Sequence, residues 1–222
     1  MNPSIRNSRW LLLAEVVLFV LIFIADQWHL IPVSKVPFLF LVCWLSLRIR
    51  GLRWRDVGLA RFRSWPVTLG LGAAIGIGME LLQLFVTQPL LVSVTKTAPD
   101  LSFFRRLVGN PKLLVVMLLL VWILAAFGEE LVYRGFVLNR LADLGRGTKA
   151  AWVASLLFMS IAFGFHHYQQ GITGIIDEGL MGFLLGLGYL ACDRKLAVPI
   201  VAHGVQDTVD MVLLYLGKYP GI

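Results

Sequence analysis

Charged side chains in this chain are swept into short stretches, and the segments between them are apolar and about as long as a membrane-crossing helix. A helix that crosses the ~30 Å hydrocarbon core needs about 20 mainly apolar residues. Segments of this kind run over residues 10–25, 36–47 (short, with room to extend back through Ile31), 66–86, 112–140, 150–167, 172–191 and 196–216. The spacing predicts an all-α polytopic membrane helix bundle of about seven transmembrane helices, within a range of six to eight. A single integral membrane domain over residues 1–222 is expected, with no internal repeat or linker. Composition supports this: 58% of residues are hydrophobic and 15% charged, and mean hydropathy is +0.79. A soluble domain carries roughly 25% charged residues, so this chain lacks the polar surface to face water.

The formal charge is +7. Arg48, Arg50, Arg53, Arg55, Arg61 and Arg63 cluster between two apolar segments. Nucleic acid is not the expected partner. Basic residues in the short loops of a polytopic protein collect on the cytoplasmic side and meet anionic headgroups of the lipid bilayer. Arg140, Arg146, Lys149, Arg194 and Lys195 fall in loops on that same side. The expectation is a multi-pass protein of the cell membrane with its N-terminus cytoplasmic. Arg6 and Arg9 before the first apolar run also fit a signal peptide, but no small-x-small cleavage site follows, so a retained anchor is expected. Cys43 and Cys192 sit in apolar stretches without metal or disulfide spacing and read as packing residues.

Ionisable side chains inside transmembrane segments are costly and mark cavities and function. Here they are Glu15, Glu80, Glu129, Glu130, Arg134, His166, His167, Asp177, Glu178, His203, Asp207 and Asp210. Three of the chain's four histidines are among them; only His29 is not. Glu130 and Arg134, four apart, can pair on one helix face, as a structural brace. Glu129 is turned about 100° away and has no local cation, which suits a general acid or base. The same residues also fit a purely structural polar network. His203 and Asp207 share a face, with Asp210 one turn further. Phe163 and His167 share another face, directing His166 elsewhere, toward an interfacial position. Asp177 and Glu178 read as wet residues at a loop end. Glu80 fits either a helix partner or a cavity lining.

Glu129-Glu130-x-x-x-Arg134, Phe163-x-x-x-His167 and His203-x-x-x-Asp207, in that order on three helices, resemble the CPBP family. These are the CAAX-processing and bacteriocin-processing intramembrane endopeptidases, also called the Abi family. The resemblance covers about half the chain, residues 113–216, the expected catalytic helix core. Residues 53–59, ending Asp56-Val57-Gly58-Leu59, also resemble a segment that often precedes this core. The resemblance implies that Glu129 and His167 activate a water molecule, that His203 and the residue at 207 stabilise the oxyanion, and that Glu130 and Arg134 brace the site. Relatives similar to the CAAX-processing enzyme carry Asn at the last position. Asp207 can donate a hydrogen bond only when protonated, so it either does so or orients His203.

Glu129, His167 and His203 would also make a three-ligand zinc set with water in the fourth position. No HExxH is present, and the resemblance implies a glutamate-dependent reaction with no cofactor and no metal. The expected function is an endopeptidase cleaving a membrane-associated protein or peptide. The alternatives are a proton- or ion-coupled small transporter and a non-catalytic membrane binding or immunity protein. Sequence leaves the substrate and the oligomeric state open. A geometric tension remains. At 1.5 Å per residue, Glu129 lies about 20 Å from its inner loop, His203 about 12 Å and His167 about 27 Å, so the three meet only if helices tilt or boundaries shift.

Overall fold

The computed structural model describes residues 8–60 and 64–220. Arg6, Arg61 and Arg63 therefore lie outside the described residues. The apolar segments form seven helical rods: α1 (Arg9–Gln27), α2 (Val36–Ile49), α3 (Trp65–Thr95), α4 (Pro111–Leu144), α5 (Lys149–His166), α6 (Gly171–Ala191) and α7 (Ala197–Tyr215). Among the described residues there is no strand. All but α2 are long and apolar enough to cross a membrane, and the chain is a multi-pass membrane protein.

Local chemistry sets the helix starts. Ser8 Oγ, Asn110 Oδ1 and Thr148 Oγ1 accept the amides of Leu11, Leu113 and Ala151 at 3.3, 3.1 and 3.2 Å, satisfying donors that a helix leaves unpaired. Pro66 and Pro111 occupy first-turn positions, where the missing N–H is harmless. The polar stretch around Pro89 departs from expectation. α3 runs through it to Thr95 rather than stopping near residue 86. Proline in a helix clashes with the carbonyl four residues back. That residue is Phe85, and it lies in a widened π turn, Gln83–Thr87, that opens the coil just before Pro89.

Small residues let the rods touch. A Cβ on Gly72 or Gly76 would overlap Val201 or Ala202 of α7, so α3 and α7 run parallel and in contact. On α6, a Cβ on Gly182 or Gly186 would meet Phe163 or Leu156 of α5. Such spacing brings membrane helices within van der Waals range where burial of apolar surface gives no driving force. Polar clamps tie the α1–α2 hairpin at both ends. Buried Glu15 meets Ser46 (2.5 Å) and Arg50 at the arginine-rich end. At the other end Lys35 pairs with Asp26 at 2.7 Å, and its Nζ also donates to the carbonyl of His166 at 3.4 Å. Cys43 packs in the main core with Leu39, Tyr133, Phe163 and Tyr189. Cys43 and Cys192 are free thiols.

The depth mismatch between Glu129 and His203 resolves at the start of α7. The Leu196 amide donates to the Gly58 carbonyl at 3.0 Å, and Leu196 is fully buried. Gly58 has φ 108° and no room for a Cβ beside Arg194 and Tyr189. Gly135 packs on the Leu196 side chain, although α4 continues to Leu144. α7 therefore begins well inside the bundle, and His203 reaches the level of Glu130. The 53–59 segment is the seat on which α7 rests, with Val57 also accepting the Tyr189 hydroxyl at 3.1 Å.

At the opposite end of the bundle, Asp100 donates its amide to the Gln170 carbonyl at 3.0 Å and accepts Ser102 N–H at 2.9 Å. Those hydrogen bonds from Ser102 hold the exposed Asp100 carboxyl below the usual range.

Candidate active site

The centre of α4, Val121–Leu138, is wound as a wide π coil and carries Glu129, Glu130, Tyr133 and Arg134, all buried. Such coils are uncommon and concentrate at functional sites. Glu130 Oε1 accepts Arg134 Nη1 at 2.6 Å and His203 Nδ1 at 2.9 Å. Arg134 Nη2 donates to the Gly182 carbonyl at 2.8 Å, and the guanidinium lies 4.5 Å from the Phe163 ring centre. Both members of the pair have no solvent exposure. One ion pair thus joins α4, α5, α6 and α7.

Glu129 takes the other face. Its Oε1 lies 3.4 Å from His166 Nε2, while its buried Oε2 has no hydrogen-bond partner. His166 Nδ1 meets the Tyr133 hydroxyl at 2.5 Å. With a carboxylate at one nitrogen and a hydroxyl at the other, a neutral imidazole donates from Nε2 and accepts at Nδ1. His167 Nδ1 lies 3.1 Å from the Phe163 carbonyl. A carbonyl only accepts, so Nδ1 carries the proton and Nε2 keeps its lone pair. His203 Nε2 faces Asp207 Oδ2 at 3.6 Å. Phe163 is the hub of the three imidazoles, with ring centres 6.3, 5.1 and 6.0 Å from His166, His167 and His203. Asp207 is within electrostatic reach of Glu129 and His167.

The structure thus brings Glu129, His203 and Asp207 into one neighbourhood, with one difference from the sequence reading. The imidazole against Glu129 is that of His166, which is buried rather than interfacial. α5 ends at His166, so His167 is already outside the helix (φ −101°, ψ 27°) and helical spacing no longer sets its direction. His203 bonds Glu130, a partner the sequence reading did not specify. Asp177, expected to be wet, is buried and accepts Thr87 Oγ1 at 2.6 Å and Gln83 Nε2 at 3.1 Å, because the extended α3 covers it. Tyr133 was missed. Its place four residues after Glu129 and one before Arg134 was the available signal. Among the described residues, no three His, Cys, Asp or Glu side chains converge as a metal-binding group.

Residues 111–209 match the family model described as type II CAAX prenyl endopeptidase Rce1-like. Over this segment, a little under half of the chain, the sequence is similar to the Rce1-like family and so to the CPBP proteins. No curated protein and no solved structure matches the chain. The Rce1-like segment contains Glu129, Glu130, Tyr133, Arg134, Phe163, all three clustered histidines and Asp207. In general terms this likeness supports an intramembrane protease of the CAAX type. Glu80, Gln83 and Thr87 lie outside the segment, and so does the α1–α2 clamp.

Proposed function

We propose that the chain hydrolyses a peptide bond of a membrane-associated protein or peptide, using Glu129 to activate water. The observation that carries this reading is the buried, unpartnered Glu129 Oε2, held by a carboxyl whose other oxygen faces His166. Amide hydrolysis needs a base for water, donors where negative charge develops and a shielded cavity. Glu129 Oε2 accepts a proton from water as the oxygen attacks the scissile carbonyl. His167 Nε2, with its lone pair free, orients that water. His203, held as the imidazolium between Glu130 Oε1 and Asp207 Oδ2, presents its Nε2–H to the developing oxyanion, and Asp207 orients the ring. The proton held on Glu129 passes to the leaving amine as the C–N bond breaks. His166 and Tyr133 set the direction of the Glu129 carboxyl, while Arg134 neutralises Glu130 so that it can hold His203.

Residues 113–216 form the catalytic core of a single integral membrane domain over residues 1–222 in this reading, with α1 to α3 supporting it. The test is comparative proteomics of cells carrying the wild type or Glu129→Gln. One membrane-associated polypeptide should change length between the two; identical peptide inventories would defeat the proposal.

The reaction is proposed to need no metal. Activity of the purified protein should persist, within about twofold, after exhaustive chelation, because Glu129 alone supplies the base. Loss of activity restored only by zinc would overturn this.

The arginine-rich end, which holds Arg48, Arg53, Arg55, Arg146 and Arg194, is proposed to face the cytoplasm of the cell membrane together with the N-terminus. A reporter inserted after Arg63 should read cytoplasmic and one beside Lys96 external. The test uses Lys96 because Pro89 lies inside α3. The reverse pattern would invert the topology.

A further inference from the structure

A second group of acids extends along α7 away from His203. Glu80 on α3 is 2% exposed, and neither of its carboxyl oxygens receives a hydrogen bond from an amide, hydroxyl or basic group. Its carboxyl faces that of Asp210, whose buried Oδ1 also has no partner. Asp207 and Glu178 lie within electrostatic reach of both, and Asp177 within reach of Glu80. No Lys or Arg is among the groups acting on either carboxyl. The neighbouring donors are already engaged. Gln83 Nε2 and Thr87 Oγ1 point to Asp177, and Gln206 Nε2 donates to Gln83 Oε1 at 2.6 Å.

Buried carboxyls without a counter-charge are costly, and among the described residues the main groups acting on these two are themselves acids. The group is also continuous with the catalytic site. Asp207 faces His203 at 3.6 Å, its side chain is 22% exposed, and Asp210 follows one turn later. Apart from the contact of the two carboxyls with each other, three oxygens stand without donors: Glu80 Oε1, Glu80 Oε2 and Asp210 Oδ1. An alkylammonium has three N–H donors and no acceptor, which complements that set.

We propose that Glu80 and Asp210 form a substrate-binding subsite for one lysine side chain of the peptide being cleaved, admitted past Asp207. The proposal rests on the protease reading above and names part of its substrate class. The acidic path gives the peptide a direction, with its lysine lying on the side of the site away from the arginine-rich end.

The test uses the full chain in nanodiscs, as Glu129→Gln for binding and unmutated for cleavage. The probes are labelled membrane-inserted peptides with a single lysine at successive positions, each paired with its norleucine counterpart. At one position lysine should bind at least about tenfold tighter than norleucine, the scale of charge-assisted hydrogen bonds. Adding Glu80→Gln or Asp210→Asn should each bring that ratio close to one. In the cleavage arm, the same preference should enter kcat/KM through KM. The absence of a lysine preference at every position, or a preference that survives both substitutions, overturns the subsite. So does a variant that shifts only the unfolding temperature, because the two carboxyls are then a proton-sharing structural pair. A lysine preference in binding, with no cleavage of any peptide by the unmutated chain, supports the subsite and removes the protease reading. Cleavage indifferent to lysine does the reverse.

Discussion

Glu129→Gln should lower peptide hydrolysis by about 10³-fold, within the 10²–10⁴ that a positioned general base contributes, while the protein folds normally. The amide keeps the size of the side chain and an oxygen for His166, and Oε2 has no partner to lose. The measurement is turnover of a peptide pool by purified wild type and variant, with thermal unfolding in detergent as the control. The histidines should separate by role. His167→Ala should reduce kcat about as much as Glu129→Gln. His166→Ala, which removes the group that aims Glu129, should cost about 10-fold in kcat with KM unchanged, as expected for lost orientation rather than lost base. Full activity in Glu129→Gln would end the proposed mechanism.

The second large effect falls on stability. Arg134→Ala should destabilise the protein by about 3–5 kcal/mol, the range for removing one partner of a buried ion pair. It leaves Glu130 charged, fully buried and held only by His203. It also removes the hydrogen bond to the Gly182 carbonyl and the cation over Phe163. Folded yield in detergent and the unfolding temperature should both fall. A compensated double variant, Glu130→Gln with Arg134→Met, should recover part of the stability, since neither buried charge remains, but not activity, because His203 loses its anchor. An Arg134→Ala protein as stable as the wild type would show that Glu130 is solvated or protonated there.

Much of this architecture is visible in the sequence because lipid imposes simple demands. The apolar segments declare the rods by length alone. The Gly72/Gly76 and Gly182/Gly186 pairs declare close helix contacts, and Glu130 and Arg134 meet at the spacing their positions imply. What stayed hidden depends on departures from regular geometry. The π turn at Gln83–Thr87 carries α3 past Pro89 and over Asp177, a burial that no polarity pattern announces. The end of α5 at His166 turns the tandem histidines differently from their helical phase. The recessed start of α7 moves His203 by several residues of depth, and only the tertiary contact of Leu196 with Gly58 reveals it. The choice of Glu130 rather than Glu129 as the partner of His203 follows from that depth.

The seat beneath α7 has a consequence for how this protein can vary. Gly58 sets how far the helix sinks, so it acts as a gauge block for the reactive groups above it. A larger residue there would lift His203 off Glu130 without touching any group that meets the substrate.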